Sequence, residues 1–216
     1  MSDAAARLAD LRNAIARAAK AASRDPEGVQ LIAVSKGRSA EAIEALIEAG
    51  QRDFGENRVQ EVAAKWPELR RRHPDVRLHM IGSLQSNKAE EAAGLFDVIH
   101  SLDRASLLQA MVKAEWHGPT YVQVNIGDEA QKGGIAIAEL PTFLDKVRDA
   151  GINLAGLMAI PPSEVEASPY FALLAKLARR HDVTGLSMGM SSDFTSAVML
   201  GATTVRVGSA LFEETG

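Results

Sequence analysis

Lys36 follows the apolar run Leu31-Ile32-Ala33-Val34 and a serine, Ser35. A lysine at the end of such a run would hold its stem among buried side chains, where desolvation lowers the pKa and favours the neutral amine that attacks an aldehyde. The plainer alternative is a lysine that reaches from a strand end into water. Far along the chain, GLSMGMSSDFTSAV from Gly185 has the form of a strand, a glycine turn and a helix opening at Ser191-Ser192, with Asp193 close behind. The free amides and positive dipole end of such a helix suit a phosphate, although either serine could simply cap its own helix. In TTVRVGSALF from Thr203, Gly208 permits close backbone approach, Ser209 offers a hydroxyl, and Arg206 brings charge into the same region with its contact left open.

Other polar residues carry weaker signals. Asn57, in DFGENRVQE from Asp53, could hydrogen-bond a ligand or a neighbour, and Glu56 beside it is an acid or base candidate without a defined partner. Gln85, Ser86 and Asn87 read as caps of the helix that follows them. His79 and His100 fall in apolar runs with no HxH or HExxH spacing, so they read as histidines hydrogen-bonded within the structure, and no metal is expected.

These residues must be positioned by alternating short β-branched runs and alanine-rich helical stretches, the signature of repeated βα units. Eight such runs begin at Val29, Arg52, Arg77, Asp97, Thr120, Ile152, Val183 and Thr203. The stretch from Ala40 is representative: Ala42, Ile43, Leu46 and Ile47 form one face, and Gly50 suits the residue after a helix end. Eight parallel strands separated by helices can close, so the expected fold is a single (β/α)8 barrel over about residues 29–212. Before it, Leu8, Leu11, Ile15 and Ala18 or Ala19 recur at helical spacing, which predicts an additional amphipathic helix over about 4–22. An open doubly wound sheet would favour a glycine fingerprint after the first strand, where VSKGRS has one glycine only.

The chain's 216 residues suit one domain, 1–216, with a sizeable core. A net charge of −4 argues against nucleic acid as a partner. The lack of cysteine excludes disulfides, thiol nucleophiles and zinc–thiolate sites, and suits a cytoplasmic location. No apolar run approaches the roughly 20 residues of a membrane span, and the N-terminus lacks the apolar core of a secretory signal. A monomer is expected, since nothing resembles a dedicated dimerisation domain.

In a barrel of this kind, closure sets strand one beside strand eight, and a phosphate site commonly lies at the loops after strands seven and eight. Lys36 would then face that site across the mouth. An amine next to a phosphate cradle is what pyridoxal 5'-phosphate requires, because its aldehyde and phosphate project from one small ring.

Several segments together, VSKGRS, AGQRDFGENRVQE, HMIGSLQSNK, GLMAIPP, SMGMSSDF and TTVRVGSALF, resemble the signatures of the YggS/PROSC-type pyridoxal phosphate homeostasis proteins, in order, over about residues 29–212. The resemblance implies a fold related to the N-terminal barrel of alanine racemase, a Schiff base at Lys36, and cofactor contacts by Asn57, Ser191, Arg206, Gly208 and Ser209. It also implies a role in vitamin B6 and amino-acid homeostasis, with apo-forms of pyridoxal-phosphate enzymes as partners. Gly37 and Ser209 stand where the family often has threonine, and Ser83 where it often has histidine. Position 209 keeps a hydroxyl, whereas Gly37 alters the loop beside Lys36. A non-catalytic carrier or regulator is favoured over an amino-acid racemase, because no second acid/base candidate pairs with Lys36 and the chain lacks room for the racemases' second domain. A phosphosugar enzyme using Lys36 is a third reading.

Overall fold

The computed structural model describes residues 3–129, 131–163 and 165–212. Helix α1 (Asp3–Ala21) precedes β1 (Gln30–Val34), α2 (Ala40–Glu48), β2 (Asp53–Glu56), α3 (Val59–Arg72), β3 (Arg77–Met80) and α4 (Ala89–Leu95). The alternation continues through β4 (Val98–Leu102), α5 (Ala105–Lys113), β5 (Thr120–Gln123), α6 (Leu140–Asp149), β6 (Leu154–Met158), α7 (Ser168–Arg180), β7 (Gly185–Ser187), α8 (Phe194–Met199) and β8 (Thr204–Val207). All eight strands run parallel in chain order. Pairing of β1 with β8, Gln30 opposite Thr204 and Ile32 opposite Arg206, closes the barrel.

Local chemistry explains the element ends. The Ser39 hydroxyl accepts from the Ala42 amide at 3.3 Å and starts α2, whose Ile43, Leu46 and Ile47 are buried as their spacing predicts. Gly50, at φ +96°, then turns the chain out of the helix. In α1 the predicted face is the buried one, with Leu8, Leu11, Ile15, Ala18 and Ala19 all covered. Each of its larger apolar side chains contributes about 1.5–3 kcal/mol by leaving water.

The place of α1 departs from that of an added helix. It packs against α8 and α2, while residues 208–212 after β8 form a turn. Among the described residues, α1 therefore occupies the position in the ring that a helix after β8 would take. The Arg24 guanidinium fastens the link, donating to the carbonyl of Val198 in the last turn of α8 and to that of Ala202 just beyond it.

Strand alternation divides the side chains into two sets. Leu31, Ala33, Phe54, Leu78, Ile99, Val122, Leu157, Val205 and Val207 face the helices and share one core with them. The barrel interior is different: Val98, Tyr121 and Met158 form a small separate cluster, and His79, His100, Ser187 and Arg206 are buried among the strands. Room for Tyr121 comes from Gly156, where a Cβ would lie 2.5 Å from the ring. No described helix is long and apolar enough to cross a membrane.

Candidate functional site at the barrel mouth

Strand β1 ends at Val34, and Lys36 sits in the turn beyond it with its side chain exposed. This corrects the expectation of a stem buried among barrel side chains. The buried position belongs to Ser35, which faces the helical layer at 0% exposure, so the turn carries Lys36 past the last ring of packed residues. Reach is what the fold provides for this amine.

A cluster from β2 and α3 holds the turn's backbone. Ser35 Oγ donates to Glu56 Oε1 at 2.7 Å, Trp66 Nε1 donates to the same oxygen at 3.0 Å, and Lys65 pairs with it at 2.8 Å. The Lys65 ammonium also donates to the Ser35 and Arg38 carbonyls at 3.0 and 3.4 Å and pairs with Glu61 at 3.1 Å. Glu61 in turn accepts the Gly37 amide at 2.6 Å. Burial raises the Glu61 carboxyl pKa, but the Gly37 amide and Lys65 outweigh it and hold the group below its ordinary value. Gly37 adopts φ +66°, which a glycine takes without the strain a side chain would bring. Peptides on both sides of Lys36 are thus anchored while its side chain remains free to meet a ligand. Glu56, seen from sequence as an unpartnered acid or base, is a fully buried structural carboxylate; its Oε2 has no hydrogen-bond partner among the described residues.

Closure brings the other half of the site against this turn. Gly208 lies beside Val34, and a Cβ there would stand 3.3 Å from both the Val34 Cβ and its carbonyl oxygen. The Gly208 amide donates to Ser191 Oγ at 3.4 Å, joining the loops after β7 and β8. The Arg38 guanidinium lies 5.4 Å from the centre of the Phe212 ring, tying the β1 turn to the segment after β8. Ser191 is half-buried, Ser209 is exposed, and the amides of Ser191, Ser192, Ser209 and Ala210 meet no acceptor among the described residues. The helix expected to open at Ser191-Ser192 begins at Phe194 instead. Asp193 folds back to accept the Met190 amide at 2.6 Å, so residues 191–193 form a turn before the helix.

Asn57 follows β2, half-buried, with its side-chain amide unpaired among the described residues. Gly82 makes its position possible, since a Cβ at Gly82 would lie 2.5 Å from the Asn57 carbonyl oxygen. The expected capping by Gln85, Ser86 and Asn87 is not what they do: Lys88 stands at the start of α4 with no side-chain cap, and Ser86 meets Arg104 and Ser106.

Arg206 is the deepest of the six expected cofactor contacts, at 4% exposure. It donates to Ser187 Oγ at 2.6 Å and to the Ala159 carbonyl at 3.1 Å. Burial, partly opposed by Asp193, brings its pKa down to about 10, which leaves it a cation at neutral pH. His79 and His100 are hydrogen-bonded to each other at 3.0 Å, so the reading of histidines satisfied within the structure holds. Lys36, Ser191, Gly208 and Ser209 are thus gathered where β1 meets β8, with Asn57 one strand further round and Arg206 below. Sequence reasoning missed Lys65 and Glu61, whose contacts with the turn lie about 30 and 24 residues away in the chain and leave no local pattern.

The closed barrel, with a lysine past the first strand and exposed amides past the last two, places the molecule in a definite class. The chain belongs to the alanine racemase N-terminal domain family, whose model matches residues 7–215. Its near full-length relatives include pyridoxal phosphate homeostasis proteins. The one from Pseudomonas aeruginosa is 41% identical, covering 98% of this chain and 96% of its own length, and that of Escherichia coli K12 is 39% identical over 98% and 97%. Among solved structures, PipY of Synechococcus elongatus with PLP bound is 39% identical, with a TM-score of 0.83 over 97% of this chain and all of that one. Alanine racemase from Corynebacterium glutamicum, 16% identical with a TM-score of 0.65, shares the fold over 92% of this chain and 60% of its own.

Proposed function

We propose that this protein binds pyridoxal 5'-phosphate as a Schiff base on Lys36 and serves its homeostasis without substantial catalysis. The observation that carries the reading is the meeting of the β1 and β8 ends: an exposed lysine on an anchored turn, next to two loops in which the amides of Ser191, Ser192, Ser209 and Ala210 meet no acceptor among the described residues. When bound, the cofactor supplies an aldehyde that a primary amine can capture. The donor set fits its other end, since Ser191, Gly208 and Ser209 offer neutral hydroxyl and amide donors of the kind that hold a phosphate. Asn57 would contribute a polar contact and Arg206 the cationic floor. The names of the relatives and the PLP-bound PipY structure support the choice of ligand. In this reading the protein works as a cytoplasmic monomer, and apo-forms of pyridoxal-phosphate enzymes receive the cofactor. The mouth brings no second proton-transferring side chain opposite Lys36 among the described residues, which favours holding over turnover.

The experiment is to add pyridoxal phosphate to the purified chain, reduce with borohydride and map the peptides. Label on Lys36, lost in Lys36→Ala, is the expected result, and label on another lysine refutes the assignment. Loaded protein incubated with L-amino acids should change neither chiral composition nor release carbon dioxide at enzymatic rates. Turnover near the median of roughly 10 per second, abolished by Lys36→Ala, would favour a racemase or related enzyme.

A further inference from the structure

A line of buried polar side chains crosses the barrel interior. It starts at Asp53, the first residue of β2, passes through His79 of β3, His100 of β4 and Ser187 of β7, and ends at Arg206 of β8. The successive distances are 3.0, 3.0, 2.9 and 2.6 Å. Asp53 lies at the N-terminal end of the barrel, where it also pairs with Arg77 at 2.8 Å and lines a cavity of about 460 Å³ with Gln30 and Arg52. The other end of the line sits under the mouth. Tyr121 stacks on His100 with centroids 4.4 Å apart and planes 7° from parallel, which fixes the plane of that ring.

The two ends dictate the hydrogens between them. A guanidinium only donates and a carboxylate only accepts. Arg206 donates to Ser187 Oγ, whose own proton is then directed to His100 Nδ1. One arrangement that meets both ends has His100 Nε2–H donating to His79 Nδ1 and His79 Nε2–H donating to Asp53. Any other pair of neutral tautomers sets two donors or two acceptors face to face. Burial, with His79 and Arg206 nearby, holds His100 well below its ordinary pKa, in keeping with an uncharged ring. Arg206 has no carboxylate within ion-pair distance among the described residues; Asp193 acts on it from further away, and this line joins it by hydrogen bonds to Asp53.

We infer that Asp53, His79, His100 and Ser187 are positioning residues for Arg206, and that the carboxylate at the N-terminal end of the barrel thereby governs how firmly the cofactor is held at the mouth. This rests on the reading that Arg206 meets the cofactor. If the line served only to satisfy buried polar groups, breaking it would cost stability without a specific effect on ligand. As a positioning device it couples the two ends, and substitutions along such networks change binding by roughly two- to thirtyfold.

The test uses the full chain and pyridoxal phosphate as the probe. Asp53→Asn keeps the size of the side chain, but its amide can donate as well as accept, which releases the single polarity of the line. Its Kd for pyridoxal phosphate should rise by roughly two- to thirtyfold, and the same substitution in an Arg206→Met background should add nothing. A loss of equal size in both backgrounds, or an unchanged Kd in folded Asp53→Asn, overturns the inference. Where Arg206→Met folds or binds too poorly to compare, ring ¹⁵N signals decide. Pyridoxal phosphate should move those of His79 in the wild type, although His79 lies below the mouth, and should not move them in Ser187→Ala. Unmoved His79 signals in the wild type, or an equal response in Ser187→Ala, refute the coupling. Borohydride labelling of wild-type Lys36 is run alongside. Its failure sinks the site reading itself, whereas labelled Lys36 with uncoupled variants sinks only the inference.

Discussion

His100 should make this protein acid-sensitive well above the range of its carboxylates, and His100→Gln should remove that sensitivity. The ring is fully buried, stacked on Tyr121 and bonded to Ser187, and burial first, then His79 and the Arg206 cation, oppose a second proton. Its folded pKa is therefore depressed, while in the unfolded chain it returns to about 6.5. A depressed folded pKa gives stability that is present above the unfolded value and is lost as pH falls below it, because only the unfolded state takes the proton. Linkage for one group sets the limit of this loss at about 2 kcal/mol between pH 8 and pH 5, at a limiting slope of about 1.4 kcal/mol per pH unit. In a protein of this size that is roughly 4–8 °C of Tm. The assay is denaturant or thermal unfolding from pH 8 to 5 for wild type and His100→Gln, in which the other histidines are common to both. The variant should be less stable at pH 8, with the gap closing by about 2 kcal/mol at pH 5. Parallel curves would show that His100 takes up a proton in the folded state, and would refute the buried-neutral assignment.

Lys65→Met strands the buried Glu56 carboxylate and should destabilise by about 3–5 kcal/mol in urea unfolding; adding Glu56→Gln should recover much of that, and additive losses would deny their coupling. Ser191→Ala and Ser209→Ala should each weaken pyridoxal phosphate by about 1.5–3 kcal/mol in calorimetric titration but leave pyridoxal nearly unaffected, and equal losses for both ligands would place these hydroxyls away from the phosphate. Gly82→Ala, whose Cβ would stand 2.5 Å from the Asn57 carbonyl, should shift the backbone after β2 and weaken pyridoxal phosphate binding; an unchanged Kd in a folded variant would remove Asn57 from the site. Asp53 should add acid sensitivity at lower pH. Burial raises its carboxyl pKa, yet His79 and Arg77 hold it below the usual value, so its stabilisation is present above about pH 4 and lost below, and Asp53→Asn should flatten that part of the curve.

The eight strands and the buried faces of α1 and α2 were legible from sequence because period two and period 3.6 are local properties: a residue's neighbours within about four positions decide which face it shares. Absence of cysteine likewise removed whole classes of chemistry without any coordinates. Closure of eight strands then follows from counting, and with it the juxtaposition of Lys36 with Gly208 and Ser209. What lay beyond the sequence is what depends on strand alternation meeting a particular turn. Whether Ser35 or Lys36 takes the buried position is settled by Glu56 of β2, held in place by Trp66 of α3, accepting the Ser35 hydroxyl. The start of α8 was misplaced because Ser191, Ser192 and Asp193 are all good capping types, and the choice fell to Asp193 bonding back to Met190. The position of α1 in the ring depends on the segment after β8 turning away from helix, a tertiary competition for one groove between α8 and α2. The line from Asp53 to Arg206 was least visible of all. Its links join residues as far apart as His100 and Ser187, which face each other only because a closed barrel turns alternate side chains of distant strands toward one axis.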